Sequence, residues 1–258
     1  MINEWDITTT NLRRIRQRKY EVAVLPLSAV EPHNLHLPEG TDFLNAAAIA
    51  RKSCELAWPR CESVICLPGL PYGVDCNEMG FPLAIHVRQS TLDMMITEIV
   101  ASLRAHGIRK IVLLNGHGGN EFMALVRQIM GDLDVQVFLC NWWTVAMDHY
   151  GKIFDKPDNH AGQMETSVTM ELFGDLVEME HLADGTPRPF VFEALTKGWV
   201  RTSRDFKKMS DVCACGDATG ASAARGKEYL EITCTRIADF LVELAKKPID
   251  DLFPFKKA

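Results

Sequence analysis

The sequence predicts an α/β fold in which a mostly parallel sheet is covered by helices on both faces. Short valine- and leucine-rich runs alternate with helix-period segments through the first 140 residues. The runs are near-continuously apolar, as in strands buried on both faces. Polar and glycine-rich stretches follow the strands directly, where folds of this class place their chemistry.

The first strand is EVAVLPL, Glu21 to Leu27, ending near Pro26. In TDFLNAAAIARKSCELA, Phe43, Ala47, Ala50, Cys54 and Ala57 recur at steps of four and three, which predicts a helix with Thr41 or Asp42 as N-cap. SVICLP (Ser63 to Pro68) reads as a second strand, and GLPYGVDCNEMGFP as a long irregular loop of the kind that lines sites. A helix is expected from about Thr91 to His106, with Leu92, Met95, Ile96, Ile99, Val100 and Leu103 on one face, Ser90 and Asp93 as its cap and Gly107 as its stop. KIVLLN (Lys110 to Asn115) is the third strand. Asn120 caps a helix running through Met130, and VQVFLC (Val135 to Cys140) is the fourth strand. Leu230, Cys234, Ile237, Leu241 and Leu244 form the stripe of a long C-terminal helix that packs on the core or, alternatively, on another subunit. No repeat, low-complexity tract or linker divides the chain, so residues 1–258 are read as a single domain.

With 258 residues, 47% hydrophobic and 24% charged, the chain can bury a full core. A formal net charge of −6 leaves no basic stripe for nucleic acid. No apolar run approaches the ~20 residues that cross a bilayer, and MINEWDITTT has no signal-peptide core, so a cytoplasmic protein without a membrane partner is expected. The eight cysteines are scattered and read as reduced thiols, the close pair Cys213 and Cys215 included.

EPHNLHLPEGTD, Glu31 to Asp42, holds two histidines, three acids and two prolines. Pro32 disfavours the α conformation at Glu31, and in an extended chain Glu31 and His33 face the same side. Asp42 lies beyond a loop with Pro38 and Gly40 that lets the chain fold back, and an aspartate can bridge two ions. His117 sits in NGHGGN, where Gly116, Gly118 and Gly119 allow positive φ and close backbone approach. The other reading of that piece, a phosphate-cradling turn, lacks the Walker lysine and the dinucleotide spacing. In NHAGQMETSVTMELF, Gly162 places His160 in a loop and Glu165 in the first turn of a helix. Together these residues make a mixed nitrogen and oxygen donor set suited to Zn, Mn or Fe(II). Two such ions would hold a bridging water whose pKa falls toward ~7.

EPHNLHLPEGTD, LLNGHGGN, HAGQMETS and GDATGASAARGKEYL occur in the order found in the creatininase (creatinine amidohydrolase) family, which the chain resembles from about Val22 to Leu230. The resemblance implies a single three-layer α/β/α domain, a centre of two divalent ions, a homo-oligomer that is often a hexamer, and hydrolysis of a small amide. By the same resemblance, Glu31 and His117 are terminal ligands of one ion, His33 of the second, and Asp42 the bridge. Glu165 matches the acid that ligates the second ion or stands behind it. His160 resembles the catalytic histidine, with Glu165 beside it in the catalytic group. The implied mechanism is attack by a metal-bridged hydroxide on a carbonyl polarised by a metal, with His160 carrying the proton to the leaving nitrogen.

Pro32, Asn34 and Leu35 depart from the family's usual wording, and asparagine tolerates the left-handed backbone this loop can require. Creatinine-cleaving members carry an acid where this chain has Gly119, which argues against creatinine as substrate. The expected substrate is a small cyclic amide or a formamide. The alternatives are a keto-polyol cleaved at a C–C bond and, in another class, a non-catalytic metal-containing binding protein. Trp142 and Trp143 either wall the pocket around a flat substrate or pack the core, and His36 is either a substrate contact or loop structure. His86, His149 and His181 read as solvated or core residues, His106 as a helix-end residue, and Ser28 as a turn residue.

Overall fold

The computed structural model describes residues 2–256. After a one-turn helix α1 (Leu12–Ile15), the chain enters β1 (Val22–Leu27), α2 (Thr41–Cys61), β2 (Val64–Cys66), α3 (Gln89–Ala105), β3 (Lys110–Asn115), α4 (Met123–Asp132) and β4 (Gln136–Asn141). Next come α5 (Met147–Ile153), a two-stranded antiparallel ribbon of β5 (Asp158–His160) and β6 (Cys215–Gly216), and between those strands α6 (Gln163–Phe173), α7 (Glu193–Thr196) and α8 (Phe206–Met209). The chain then runs into the long α9 (Ala223–Lys246).

The main sheet has the order β2-β1-β3-β4 with every neighbouring pair parallel, as the strand-helix alternation predicts. Alternation along β1 and β3 divides the core in two. Val22, Val24, Val112 and Leu114 pack with α2, α6 and α9, whereas Ala23, Leu25, Leu27, Ile111 and Leu113 pack with α3 and α4. Both faces are therefore dry, and the expected helical layers lie one on each side. All five predicted stripe residues of α9 are buried.

From β1 the chain leaves through α2 over one face, and from β3 through α4 over the other. The carboxyl ends of these adjacent strands thus form a fork, the place where open α/β sheets bind ligands.

Three predicted caps are not used. The N-cap of α2 is Gly40, with Thr41 and Asp42 already inside the first turn; Arg88 stands before α3; and α4 starts at Met123. Asn120 instead ties loops together, accepting from the Val74 amide at 3.1 Å and donating to Asn115 Oδ1 at 3.2 Å. His160 ends β5 and is not in a loop. Among the described residues, no helix is long and apolar enough to cross a membrane.

Candidate metal centre

Glu31 and His33 leave the end of β1, Asp42 sits in the first turn of α2, His117 follows β3, and Glu165 lies in the first turn of α6. The fold brings all five together. Glu31, His33, Asp42 and His117 are each at most 4% exposed. The side chain of Glu165 is 13% exposed, on the side that opens to a cavity.

The donors fall into two groups that share Asp42. In one, His117 Nδ1 lies 3.0 Å from Glu31 Oε1 and 3.0 Å from Asp42 Oδ2. In the other, His33 Nε2 lies 3.2 Å from Asp42 Oδ1 and 3.4 Å from Glu165 Oε1. Donors bound at ~2.0–2.2 Å to one ion stand about 3–3.5 Å apart, so both groups have the dimensions of a coordination shell. Orphaned atoms point the same way, since Glu31 Oε2 and His33 Nε2 are buried without a hydrogen-bond partner. His33 Nδ1 is 2.9 Å from the Glu31 carbonyl, which as acceptor fixes the tautomer and leaves Nε2 as the donor atom.

The electrostatics agree. Burial opposes a charge on Glu31 and holds its carboxyl well above the usual range. Burial also works against Asp42, but the hydrogen bond from His117 and the charges on His33 and His117 beside it outweigh it and keep its pKa low. On His33 burial is outweighed by the facing Glu165 and Asp42 carboxylates, and on His117 by Glu31, Asp42 and Asp75, so both imidazoles hold protons well above the ordinary range. Those protons occupy the positions from which a divalent ion would displace them.

Glycines permit the convergence by close approach. Among the described glycines, positive φ occurs at Gly107, Gly198 and Gly220, so Gly116, Gly118 and Gly119 do not use the left-handed backbone that glycine allows. A Cβ on Gly116 would stand 2.7 Å from Ala46 Cβ, and one on Gly119 would stand 2.5 Å from the Val74 carbonyl oxygen and against the His117 ring. Asn34 does adopt the left-handed conformation, at φ 59°, with Oδ1 accepting from the Leu35 and Ala183 amides.

His160 Nε2 donates to the Pro32 carbonyl at 2.8 Å, and its Nδ1 lies 3.7 Å from Glu31 Oε1. Burial, then the nearby charge on His33, lower its pKa, so the ring is neutral with Nδ1 free to accept a proton. Together with Glu165, Trp142, Trp143 and Arg204 it lines a cavity of about 290 Å³. Trp142 also packs in the core, so it lines the cavity and fills the interior at once. His36 is not on the cavity wall; it is 1% exposed, with Nε2 2.9 Å from Thr166 Oγ1. A larger apolar groove of about 840 Å³, between α2, α6 and α9, contains none of the five donors.

Two acids enter the site from the Gly/Pro loop after β2. Asp75, fully buried, sets Oδ1 3.0 Å from His117 Nε2. Glu78, 2% exposed, accepts from the Cys213 thiol at 3.6 Å and has a carboxylate oxygen within 4.8 Å of donor atoms on Glu31 and Asp75. The loop's Gly/Pro density was the sequence signal for them. Asp158, at the start of β5, accepts from the Met164 and Glu165 amides and so holds the first turn of α6 in place.

A parallel-sheet protein that gathers two imidazoles and three carboxylates at its strand fork has the build of a metal-dependent hydrolase. The family model for creatininase, creatinine amidohydrolase, matches residues 5–241, and the chain belongs to that family. It is 27% identical to creatinine amidohydrolase of Pseudomonas putida, over 86% of this chain and 89% of that one. It is 25% identical to 3-dehydro-scyllo-inosose hydrolase of Thermotoga maritima, over 96% of this chain and 85% of the relative. A crystal structure of a Bacteroides fragilis protein assigned as a creatinine amidohydrolase superposes with a TM-score of 0.90 at 32% identity, covering 97% of this chain and 100% of that one. A creatininase with Mn shares the fold at a TM-score of 0.75 and 23% identity, over 95% of this chain and 100% of its own, and a creatininase of Zn-Zn type aligns equally well.

Proposed function

We propose that the chain uses two divalent ions to hydrolyse the C–N bond of a small cyclic amide or a formamide. The observation that carries this reading is Asp42, whose two oxygens each face a separate pair of donors. Glu31 and His117 would hold one ion with Asp42 Oδ2, and His33 and Glu165 the other with Asp42 Oδ1. The Mn and Zn-Zn forms of creatininase support Mn or Zn, and the nitrogen and oxygen donor set also suits Fe(II). When bound, such ions supply Lewis acidity and a water acidified toward ~7.

The chain's own residues position the substrate and move the proton. His160, kept neutral and tied through Nε2–H to the Pro32 carbonyl, takes up a proton at Nδ1 and delivers it to the leaving nitrogen. Glu165 is braced for its role because Oε2 accepts from the Ala161 amide at 2.7 Å, leaving Oε1 toward His33. Trp142 and Trp143, perpendicular at 86°, wall the side of the cavity against a flat substrate. Gly119 stands where creatinine-cleaving members of the family carry an acid, which argues against creatinine as the substrate. The inosose hydrolase relative favours a second reading, in which the same centre cleaves a C–C bond beside a ketone. Residues 1–258 are read as one domain, assembling into a homo-oligomer.

Elemental analysis tests the centre: about two ions per chain are expected, and Asp42→Ala should lose both together. Retention of one tightly bound ion would count against the shared aspartate. Assays of formamidopyrimidines, creatinine and keto-inositols with added Mn or Zn separate the bond types, and turnover of the keto-inositol alone would replace the C–N reading with the C–C one.

A further inference from the structure

Arg204 is the one positively charged side chain among the described residues lining the cavity. It lies in irregular chain ahead of α8, yet its position is fixed. Its guanidinium donates to Asn159 Oδ1 and sits 5.1 Å over the centre of the Phe206 ring. Phe206 is 2% exposed, donates its amide to the Asn77 carbonyl at 3.0 Å, and sets its ring 5.2 Å from that of His160, nearly edge-on. One buried aromatic therefore links the guanidinium to the proton-carrying residue.

Several other arginines of the chain pair with acids, among them Arg14 with Glu4, Arg188 with Asp211 and Arg236 with Asp148. Arg204 forms no ion pair among the described residues, and the acids on the same wall are otherwise engaged. Glu31, Asp42 and Glu165 face the two imidazoles, and Asp158 accepts from the amides at the start of α6. Of the five N–H donors on a guanidinium, one goes to Asn159 and the rest have no acid to meet. A half-buried cation without a counter-ion, at the wall of a reaction cavity, is a place for a ligand's negative charge.

We propose that Arg204 binds a carboxylate or phosphate on the substrate, away from the scissile bond, so that the enzyme acts on an acidic amide and not a neutral one. The inference rests on the hydrolase reading for the reaction, but anion binding at Arg204 can be measured without turnover.

Matched formamides test it on the Mn-loaded enzyme: N-formylglycine against its methyl ester for the carboxylate, and N-formyl-2-aminoethyl phosphate against N-formylethanolamine for the phosphate. The expected result is a kcat/KM at least about tenfold higher for one anionic member, arising in KM, and a ratio near one in Arg204→Gln. Equal use of both members by the wild type, or a preference that survives Arg204→Gln, would overturn the proposal. Calorimetric titration of the same two proteins with inorganic phosphate and with acetate gives a readout free of catalysis. There the dissociation constant of at least one anion should rise about tenfold in the variant, and unchanged constants for both would sink the site. An Arg204-dependent anion affinity with no formamide cleaved would leave the anion site standing and reject the formamide form of the C–N reading. Cleavage of the neutral members with no dependence on Arg204 would do the reverse.

Discussion

Asp75 has no backbone amide or hydroxyl to satisfy its carboxylate, and its nearest cationic atom is His117 Nε2. A carboxylate behind a ligating imidazole fixes the ring's tautomer and raises its basicity, and removing such a partner typically costs 10–100-fold in metal affinity. Asp75→Asn keeps the shape and loses the charge. Metal affinity from chelator competition should fall by roughly that factor, with stoichiometry retained; unchanged affinity would make Asp75 a packing residue only. At this scale, Glu31, His33, Asp42, His117 and Glu165 were legible because each lies in a short motif where proline, glycine or a helix start dictates local direction. Asp75, Glu78 and Arg204 were not. They reach the cavity through irregular chain, and nothing in local spacing says that residue 78 meets residue 213 or that residue 204 meets residue 159.

Besides the His33–Glu165 pair, the loop after β1 is tied to α6 by His36 Nε2 and Thr166 Oγ1, 2.9 Å apart. Burial, helped by the charge on His33, lowers the His36 pKa to about 4, below its ordinary 6.5. Between those values the unfolded chain takes up a proton that the folded chain refuses, so stability is full above about pH 6.5 and drains away as the pH falls toward about 4. His36→Gln should flatten that slope. Urea midpoints at pH 7 and pH 5 check this, and an equal fall in wild type and variant would assign the acid sensitivity elsewhere. The same scale explains the unused caps. Asp42 and Asn120 have good capping chemistry, but tertiary partners claim both side chains, the imidazoles in one case and the Val74 amide in the other. The strands were easier to read, since the apolar side chains Ile111 to Leu114 have no competing use and β3 matches KIVLLN end to end.

Across the whole molecule, the donors come from positions 31 to 165 and meet only when the sheet, α2 and α6 are all in place. Ions that bind the folded chain alone should stabilise it, and more so the tighter they bind. The dry two-sided sheet followed from near-continuous apolar strands. The antiparallel β5–β6 ribbon escaped notice because its strands are three and two residues long and DNH has no apolar pattern.

The fork between β1 and β3 has a mechanical corollary. Glu31 hangs from one tine and His117 from the other, in strands paired from Val22–Lys110 to Leu27–Asn115. An ion held by both residues is a rivet through the two central strands, placed where the ladder would otherwise unzip first. Amide hydrogen exchange at Leu25, Leu27, Leu113 and Asn115 should slow on adding Mn or Zn, more than at the far ends of the same strands. Equal slowing along the whole ladder would mean that the ions stabilise the fold globally without closing the fork.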